Sequence, residues 1–223
     1  VSPYEATVIT RLREAGADET VASLADAVGQ IGVLAQPITD PRTPGAITTD
    51  EEERLTALAG TNLLNDEADI AFDRITAKVA RLFEVPIALL TFIDRDRQFF
   101  KSHSGLPADL AHARHIARDV SVCGHVVANN EVLVIEDLLR DHRFANNPLI
   151  KARGLRFYAG APIRAGNGQP LGSLCILDFK PRQLTKSETR LLQEYAREAN
   201  EEIERRARAG EKAGRQETLA SAS

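Results

Sequence analysis

The residues best suited to do chemistry stand close together in the middle of the sequence. Cys123 lies just before His125, and His103 and His115 precede them both. A cysteine thiolate can act as a nucleophile or hold an attached group, and an imidazole can serve as an axial ligand of haem iron. The structural alternative is that Cys123 is a small buried apolar residue at a helix start and that the histidines make ordinary hydrogen bonds.

No established catalytic motif accompanies these residues. The sequence has no nucleophile elbow in a Ser-His-Asp set, no HExxH, no P-loop and no catalytic carboxylate pair. The charged group Asp137, Asp141, His142 and Arg143 could clamp a ligand, but aspartates that cap turns and pair with arginine explain it more simply. We therefore expect no enzyme activity.

The elements that must position these residues follow from hydrophobic spacing. Alternating or β-branched runs predict five strands, two pairs of which are hairpins. Apolar residues at helical spacing predict two helices before the strands and one after them, the last capped by Thr185 with Glu188. The strands are expected at 87–94, 97–105, 131–138, 156–163 and 170–178, and the helices at 50–64, 68–83 and 186–208. This order predicts an α+β fold in which an antiparallel sheet carries the terminal helices on one face.

The chain is expected to have four parts. Residues 1–35 form a helical segment with a narrow apolar seam at 21–35, and prolines mark residues 36–48 as a linker. Residues 49–208 form the main domain. Residues 209–223 are small and polar and are expected to be a disordered tail.

Composition excludes several classes of function. Apolar residues make up 43% of the 223 residues and the net charge is −4, which argues against a dedicated nucleic-acid binder. No apolar run approaches the ~20 residues of a membrane helix, and no secretory signal opens the chain. Two cysteines imply neither a metal cluster nor a disulfide framework, so a reducing, cytoplasmic location is expected. The absence of Met and the first residue Val leave open a piece of a longer polypeptide or a non-standard start.

Several sequence blocks, in this order and with compatible gaps, resemble the GAF domains of bacterial sensor kinases and cyclic-di-GMP enzymes. The blocks are VCGHVV at 122–127, VLVIEDLLRDHRFANNPLI at 132–150, GLRFYAGAPI at 154–163 and PLGSLCILDFKPRQLT at 170–185. The resemblance covers about residues 50–208. It implies a small-molecule pocket on the sheet face opposite the helices, roofed by 104–130 and 139–155, with ligand and cofactor unknown.

A pocket at this place predicts a set of ligand-binding residues from the second strand, the roof and the fourth strand. They are Phe100, His103, His115, Val122, Cys123, Val126 and Tyr158. Because strand residues alternate between faces, Phe157 and Tyr158 must point in opposite directions, and the sequence leaves open which one faces the pocket.

The resemblance implies a sensory module that binds a small molecule and signals through its terminal helices to an output domain or a partner kinase. Apolar stripes without an obvious cover predict a homodimer: the seam at 21–35 lacks a cover, and the last helix has two stripes, only one of which is needed to cover the sheet. One contains Leu191, Tyr195, Ala199 and Ile203, and the neighbouring one, with Ala196, Ala199 and Ala207, is small enough for close helix approach. Leu55, Leu58 and Leu63 of the first helix add to this surface. The alternative is that the N-terminal helices pack on the last helix and bury the same stripes within one chain.

A redox-active or cofactor-binding GAF protein centred on Cys123 is the alternative function. Bilin attachment in phytochrome-like GAF domains resembles a Cys directly followed by His, whereas Gly124 intervenes here and the chain has no Trp. Haem would need His115 or His125 as its ligand. A methionine sulfoxide reductase needs a resolving thiol, and Cys175 lies outside the block that is catalytic in that branch. The Asn-Lys-Phe-Asp-Glu signature of cyclic-nucleotide binding is missing, which disfavours that ligand.

Overall fold

The computed structural model describes the backbone of residues 50–221 and the side chains of residues 50–209. The predicted helical segment 1–35, with its apolar seam, and the linker 36–48 lie outside the described residues. The described part belongs to the second of two units into which the chain divides, Arg42–Ser223.

Six strands form one sheet, and every pair of neighbouring strands is antiparallel, in the order β3-β2-β1-β6-β5-β4. The predicted α+β class is therefore confirmed. In chain order the elements are α1 (Glu51–Gly60), α2 (Ile70–Leu82), β1 (Ile87–Ile93), β2 (Arg97–Ser104), α3 (Ala108–Ala113), β3 (His115–Ala117), a 3₁₀ turn (Arg118–Val120), α4 (Cys123–Asn129), β4 (Leu133–Ile135), α5 (Pro148–Arg153), β5 (Phe157–Arg164), β6 (Pro170–Asp178) and α6 (Lys186–Ser221).

The helices α1, α2 and α6 cover one face of the sheet, which we call the helix face. Every residue of β1 and β6 is buried, because both faces of these central strands are covered. On the helix face the alternate strand residues Phe157, Ala159, Ala161 and Ile163 pack against residues of the helices that recur at helical spacing. The opposite face, which we call the cavity face, is covered by α3, α4 and α5.

Polar contacts hold the two long helices together. The Asp69 carboxylate caps α2 by accepting from the Phe72 amide at 3.4 Å. It also pairs with Arg206 of α6 through two hydrogen bonds of 2.5 and 2.8 Å. Arg206 in turn lies over the Phe72 ring, 4.8 Å from its centroid. The predicted cap at the start of α6 forms as well, since Thr185 Oγ1 accepts from the Glu188 amide at 3.2 Å.

The last helix is longer than the sequence prediction. Its backbone is helical to Ser221, where a disordered tail from residue 209 was expected. Apart from two glycines, this segment consists mostly of alanine and of long polar residues that favour helix. A glycine costs only ~1 kcal/mol in a helix interior and does not end a helix by itself.

The small-residue stripe predicted for a dimer is largely used within the chain. Ala196 and Ala199 are 3% and 0% exposed and belong to the core of the helix face, together with Leu192. Leu58 and Leu63 of the first helical region are buried in the same core. The prediction that these side chains face a second copy is therefore wrong, because the sheet of the same chain covers them. Leu191, which is 37% exposed, stays on the outer side of α6.

Candidate functional site: an apolar cavity with a thiol cluster

A cavity of about 90 Å³ lies between the cavity face of the sheet and the short helices that cover it. Its lining is almost wholly apolar. The lining residues are Ile87, Leu89, Gln98, Phe100, Leu106, Pro107, Leu110, Ile116, Val120, Val122, Cys123, Leu138, Leu149, Ile150, Arg153, Leu155, Tyr158, Cys175, Leu177 and Phe179. The cavity wall opposite the sheet comes mostly from the segments that were expected to form a roof, 104–130 and 139–155.

Strand periodicity builds the floor of the cavity. Leu89 of β1 pairs with Cys175 of β6, so both side chains lie on the same face of the sheet. Tyr158 pairs with Leu177 on the neighbouring strands and shares that face. This pairing resolves the alternative that the sequence left open: Tyr158 faces the cavity and Phe157 faces the helices.

The roof is made of short helices that side-chain hydrogen bonds hold in place. The Asn147 side chain caps α5 by accepting from the amides of Leu149 and Ile150 at 3.0 and 3.2 Å. Its amide nitrogen donates to the Val120 carbonyl at 2.9 Å and so joins α5 to the segment before α4. Ser121 links the same segment to the sheet, because its hydroxyl bonds to the Gln98 side chain and accepts from the Gly124 amide at 3.0 Å.

The predicted site residues fall into two groups. Phe100, Val122, Cys123 and Tyr158 line the cavity. Val126 is fully buried in the same core but does not reach the cavity. His103 and His115 are exposed and do not line it.

The two exposed histidines miss the cavity because of their places at the edge of the sheet. β3 pairs only with Arg97–Phe99 of β2, and His103 lies near the far end of β2 with its side chain exposed. The His115 ring turns outward, and its Nδ1 lies 2.8 Å from the Ala113 carbonyl oxygen. The prediction that these residues line the pocket is therefore wrong.

Two thiols and one phenol form the polar end of the cavity. The sulfur atoms of Cys123 and Cys175 lie 3.6 Å apart, and both cysteines are free. The Tyr158 hydroxyl donates to the Cys123 sulfur at 3.2 Å and lies 3.5 Å from the Ser173 hydroxyl. All four residues are at most 2% exposed. We call Cys123, Cys175 and Tyr158 the thiol cluster.

The thiol cluster depends on a glycine. Gly160 lies opposite Cys175 on β5, two residues after Tyr158. A Cβ atom at this position would stand 2.3 Å from the Tyr158 hydroxyl oxygen and 2.8 Å from that of Ser173. The missing side chain thus leaves room for the tyrosine hydroxyl to reach Cys123.

The environment treats the two thiols differently. Burial raises the pKa of the Cys175 thiol well above its usual value. Burial acts in the same direction on Cys123, but hydrogen bonds from Cys175 and Tyr158 outweigh it and lower the pKa of Cys123. Cys123 is therefore the thiol that ionises more readily.

His125, the other chemically suited residue of the VCGH block, lies off the cavity. It is 4% exposed, and its ring meets Phe144 edge to face with centroids 4.9 Å apart. Burial lowers the pKa of His125 to about 4, and the Arg143 guanidinium acts in the same direction. The ring is therefore neutral near pH 7.

The charged residues that follow β4 pair with one another. Arg156 donates to Asp137 through two hydrogen bonds of 2.8 and 2.6 Å, and Arg143 pairs with Asp141 at 2.9 and 2.6 Å. None of these four residues lines the cavity. This arrangement favours the structural interpretation of the cluster over a ligand clamp. Within the described residues, no group of three or more His, Cys, Asp or Glu could hold a metal ion.

Sequence reasoning missed many of the cavity residues. Some of them lie in segments whose place in the fold was predicted but whose side chains were not proposed as site residues. Examples are Leu149, Leu155, Leu177 and Phe179. The alternation of β6 already placed Cys175 and Leu177 on one face, but it did not show which face lines the cavity.

An antiparallel sheet with long terminal helices on one face and a roofed cavity on the other defines the class as an α+β domain with a covered cavity. The family follows from the sequence: residues 67–203 match the GAF domain model. The chain therefore belongs to the GAF domain family and is a sensory, regulatory module.

A curated relative is a cyclic di-GMP phosphodiesterase of Pseudomonas aeruginosa. It is 35% identical over 150 residues, which are 66% of this chain and 25% of the relative. The chain thus spans about a quarter of the length of that relative.

Solved structures share the fold at low identity. The GAF domain of a phosphoenolpyruvate-protein phosphotransferase from Coxiella burnetii aligns with a TM-score of 0.54 and 17% identity, over 73% of this chain and 98% of that one. A domain of a sensor histidine kinase protein, described as putative, from Sinorhizobium meliloti aligns with a TM-score of 0.51 and 16% identity, over 68% and 99%. No described helix is long and apolar enough to cross a membrane.

Proposed function

We propose that this GAF module binds a small, largely apolar molecule in the cavity and signals its presence through α6. The observation that carries the proposal is the cavity itself, which is lined by aliphatic and aromatic side chains and has polar groups at one end. Its volume of about 90 Å³ lies below the ~300–1,000 Å³ of sites for drug-sized ligands. A ligand of a few heavy atoms, or a larger one that displaces the roof, fits this space.

The route to α6 runs through β5. Tyr158 lies in the cavity wall, while Phe157 and Ala159 beside it pack on the opposite face, in the core that includes α6. We expect a ligand that displaces the Tyr158 ring to shift the strand on which α6 rests. We expect α6 to pass this change to an output domain or a partner protein, and we expect no catalytic turnover by the module itself.

Dimerisation through the terminal helices is part of the proposal, on a smaller surface than the sequence indicated. Leu191 remains on the outer side of α6, whereas Tyr195 is half-buried against the core of the helix face. Light scattering at micromolar concentration tests the dimer: twice the mass of one chain supports it, and the mass of a single chain refutes it.

Redox or cofactor chemistry at Cys123 is the competing function. Among its forms, the described geometry disfavours haem. His115 and His125 both lie off the cavity, so a haem bound through either of them would sit elsewhere. An absorption spectrum of the purified protein separates the candidates, since a Soret or bilin band overturns the colourless sensory module. Turnover of free methionine sulfoxide would do the same.

A matched pair of variants tests the site. Leu149 lines the cavity at its half-exposed rim, and Leu149→Trp should fill the entrance. Leu139 is 38% exposed and lies off the cavity, so Leu139→Trp adds the same bulk elsewhere. Benzene and xenon are probes of apolar cavities. Benzene should raise the Tm of the unmodified protein and of Leu139→Trp by about 2–5 °C, and should leave that of Leu149→Trp unchanged. Equal shifts in all three proteins would place binding outside this cavity.

A further inference from the structure

We propose that Cys123 and Cys175 are a redox-active thiol pair, which a hydroperoxide converts into a disulfide across the floor of the cavity. Neither the cavity proposal nor any ligand is needed for this inference. It stands on the separation of the sulfur atoms, on their surroundings and on the path by which an oxidant can reach them.

The two sulfur atoms are already in contact. Their separation of 3.6 Å must fall to ~2.05 Å for a disulfide. Rotation of the two side chains can supply most of this approach. Cys175 lies on the rigid central strand β6, whereas Cys123 is the first residue of the short helix α4. The movement is therefore expected in α4. These are the only two cysteines of the chain, so no other intramolecular pairing competes.

The surroundings assign different roles to the two thiols. Tyr158 donates a hydrogen bond to the Cys123 sulfur, which favours the thiolate of that residue over that of the fully buried Cys175. A thiolate is the form that attacks a peroxide, whereas a neutral thiol can follow as the resolving partner. Cys123 is accordingly the first residue to be oxidised.

The oxidant has a path to Cys123. Both sulfur-bearing residues line the cavity, and so do Leu149, Arg153 and Phe179, which are partly exposed at its outer side. A water needs ~10–15 Å³ of cavity volume, so a cavity of about 90 Å³ admits a molecule as small as hydrogen peroxide.

The reaction balances in two steps. The Cys123 thiolate attacks one peroxide oxygen, the O–O bond breaks, and the other oxygen leaves as hydroxide and takes a proton to become water. The Cys175 sulfur then attacks the sulfenic sulfur of Cys123, the S–O bond breaks, and that oxygen leaves as a second water with the thiol proton. Two thiols and one hydrogen peroxide thus give one disulfide and two waters.

The disulfide would alter the cavity. It would tie the start of α4 to β6 and convert the sulfur that accepts from Tyr158 into a disulfide sulfur, which accepts hydrogen bonds more weakly than a thiolate. Oxidation would thereby act on the same roof and the same tyrosine that a ligand in the cavity would contact.

Mass spectrometry of the intact 223-residue chain after treatment with hydrogen peroxide tests the pair. The expected product has lost the mass of two hydrogen atoms, resists alkylation after denaturation, and regains two alkylatable thiols with dithiothreitol. A tryptic peptide that joins residues 123 and 175 identifies it. Two fully alkylatable thiols after treatment, or only disulfides between chains, would overturn the proposal.

Variants test the assigned roles. Cys175→Ala should stop at a sulfenic acid on Cys123 that dimedone labels, whereas Cys123→Ala should give no labelled product. Tyr158→Phe keeps both thiols and the ring but removes the hydrogen bond, so it should slow the first step about tenfold and still reach the disulfide. Circular dichroism of each variant checks that it is folded. Equal dimedone labelling of both single-cysteine proteins would contradict the roles and leave no basis for an ordered pair.

Discussion

The two faces of the sheet are packed in different ways. On the helix face, long helices bury large side chains such as Phe72 and Leu192 completely. On the cavity face, α3, α4 and α5 have only six or seven residues each, and hydrogen bonds from Asn147 and Ser121 hold them where space remains between roof and sheet. The comparison teaches that long helices leave one face closely packed, whereas the short helices on the other leave room to adapt.

The largest expected effect comes from the helix face. Phe72→Ala removes a fully buried ring that packs edge to face on Phe92, and it should lower the free energy of unfolding by about 3–5 kcal/mol. Leu149→Ala at the rim of the cavity should cost less than about 1 kcal/mol, because its side chain is half-exposed and borders empty space. Urea unfolding measures both values, and similar losses would erase the distinction between the two faces.

The next effect is a pH dependence that arises on the cavity face. The pKa of His125 is lowered from 6.5 to about 4 by burial, with Arg143 adding to the shift and Asp141 opposing it. The unfolded chain takes up a proton as the pH falls through 6.5, whereas the folded chain does not do so until about pH 4. Stability should therefore fall between these two pH values, by about 2 kcal/mol after allowance for solvent screening.

Substitution isolates this contribution. His125→Phe keeps a ring against Phe144 and should flatten the fall in stability between pH 6.5 and pH 4. His115→Phe changes an exposed histidine and should leave the slope as it is. Urea midpoints at several pH values supply the measurement, and an unchanged slope in His125→Phe would assign the dependence to other groups.

A smaller effect probes the fit of the thiol cluster. Gly160→Ala places a methyl group against the Tyr158 hydroxyl and should cost about 1–2 kcal/mol. Gly166→Ala is the matched control, since a Cβ there meets nothing closer than 3.6 Å and should be nearly neutral. Adding Tyr158→Phe to Gly160→Ala removes the nearest clashing atom and should recover part of the loss. Chemical denaturation measures the stability of both variants. If the double variant is no more stable than Gly160→Ala, the strain lies in the strand rather than at the Tyr158 hydroxyl.

Local patterns predicted the architecture well. Alternating apolar runs and turn residues located both hairpins, and the Thr185–Glu188 pair located the start of α6. The strand His115–Ala117 was missed because three residues carry too little alternation to be distinguished from a loop.

The site could be predicted only in part, because it is assembled from distant segments. Val122, Cys123 and Tyr158 were found since they lie in the blocks that carry the family resemblance, and Phe100 was found since it lies on the predicted second strand. His103 and His115 were included for their chemical type, although both side chains are exposed and lie off the cavity. The contact between Cys123 and Cys175 depends on how a roof helix sits on a strand 52 residues away, which no local pattern encodes.

The ion pair of Arg206 gives α6 a fixed point about which the rest of the helix can tilt. The pair with Asp69 fixes this point of the helix to α2, while the helical backbone continues to Ser221. At 1.5 Å of rise per residue, the arm beyond the fixed point is about 22 Å long. A tilt of about 5° at Arg206 would therefore move its far end by about 2 Å, so a displacement too small to disturb the packing of the domain becomes one that a neighbouring protein can detect.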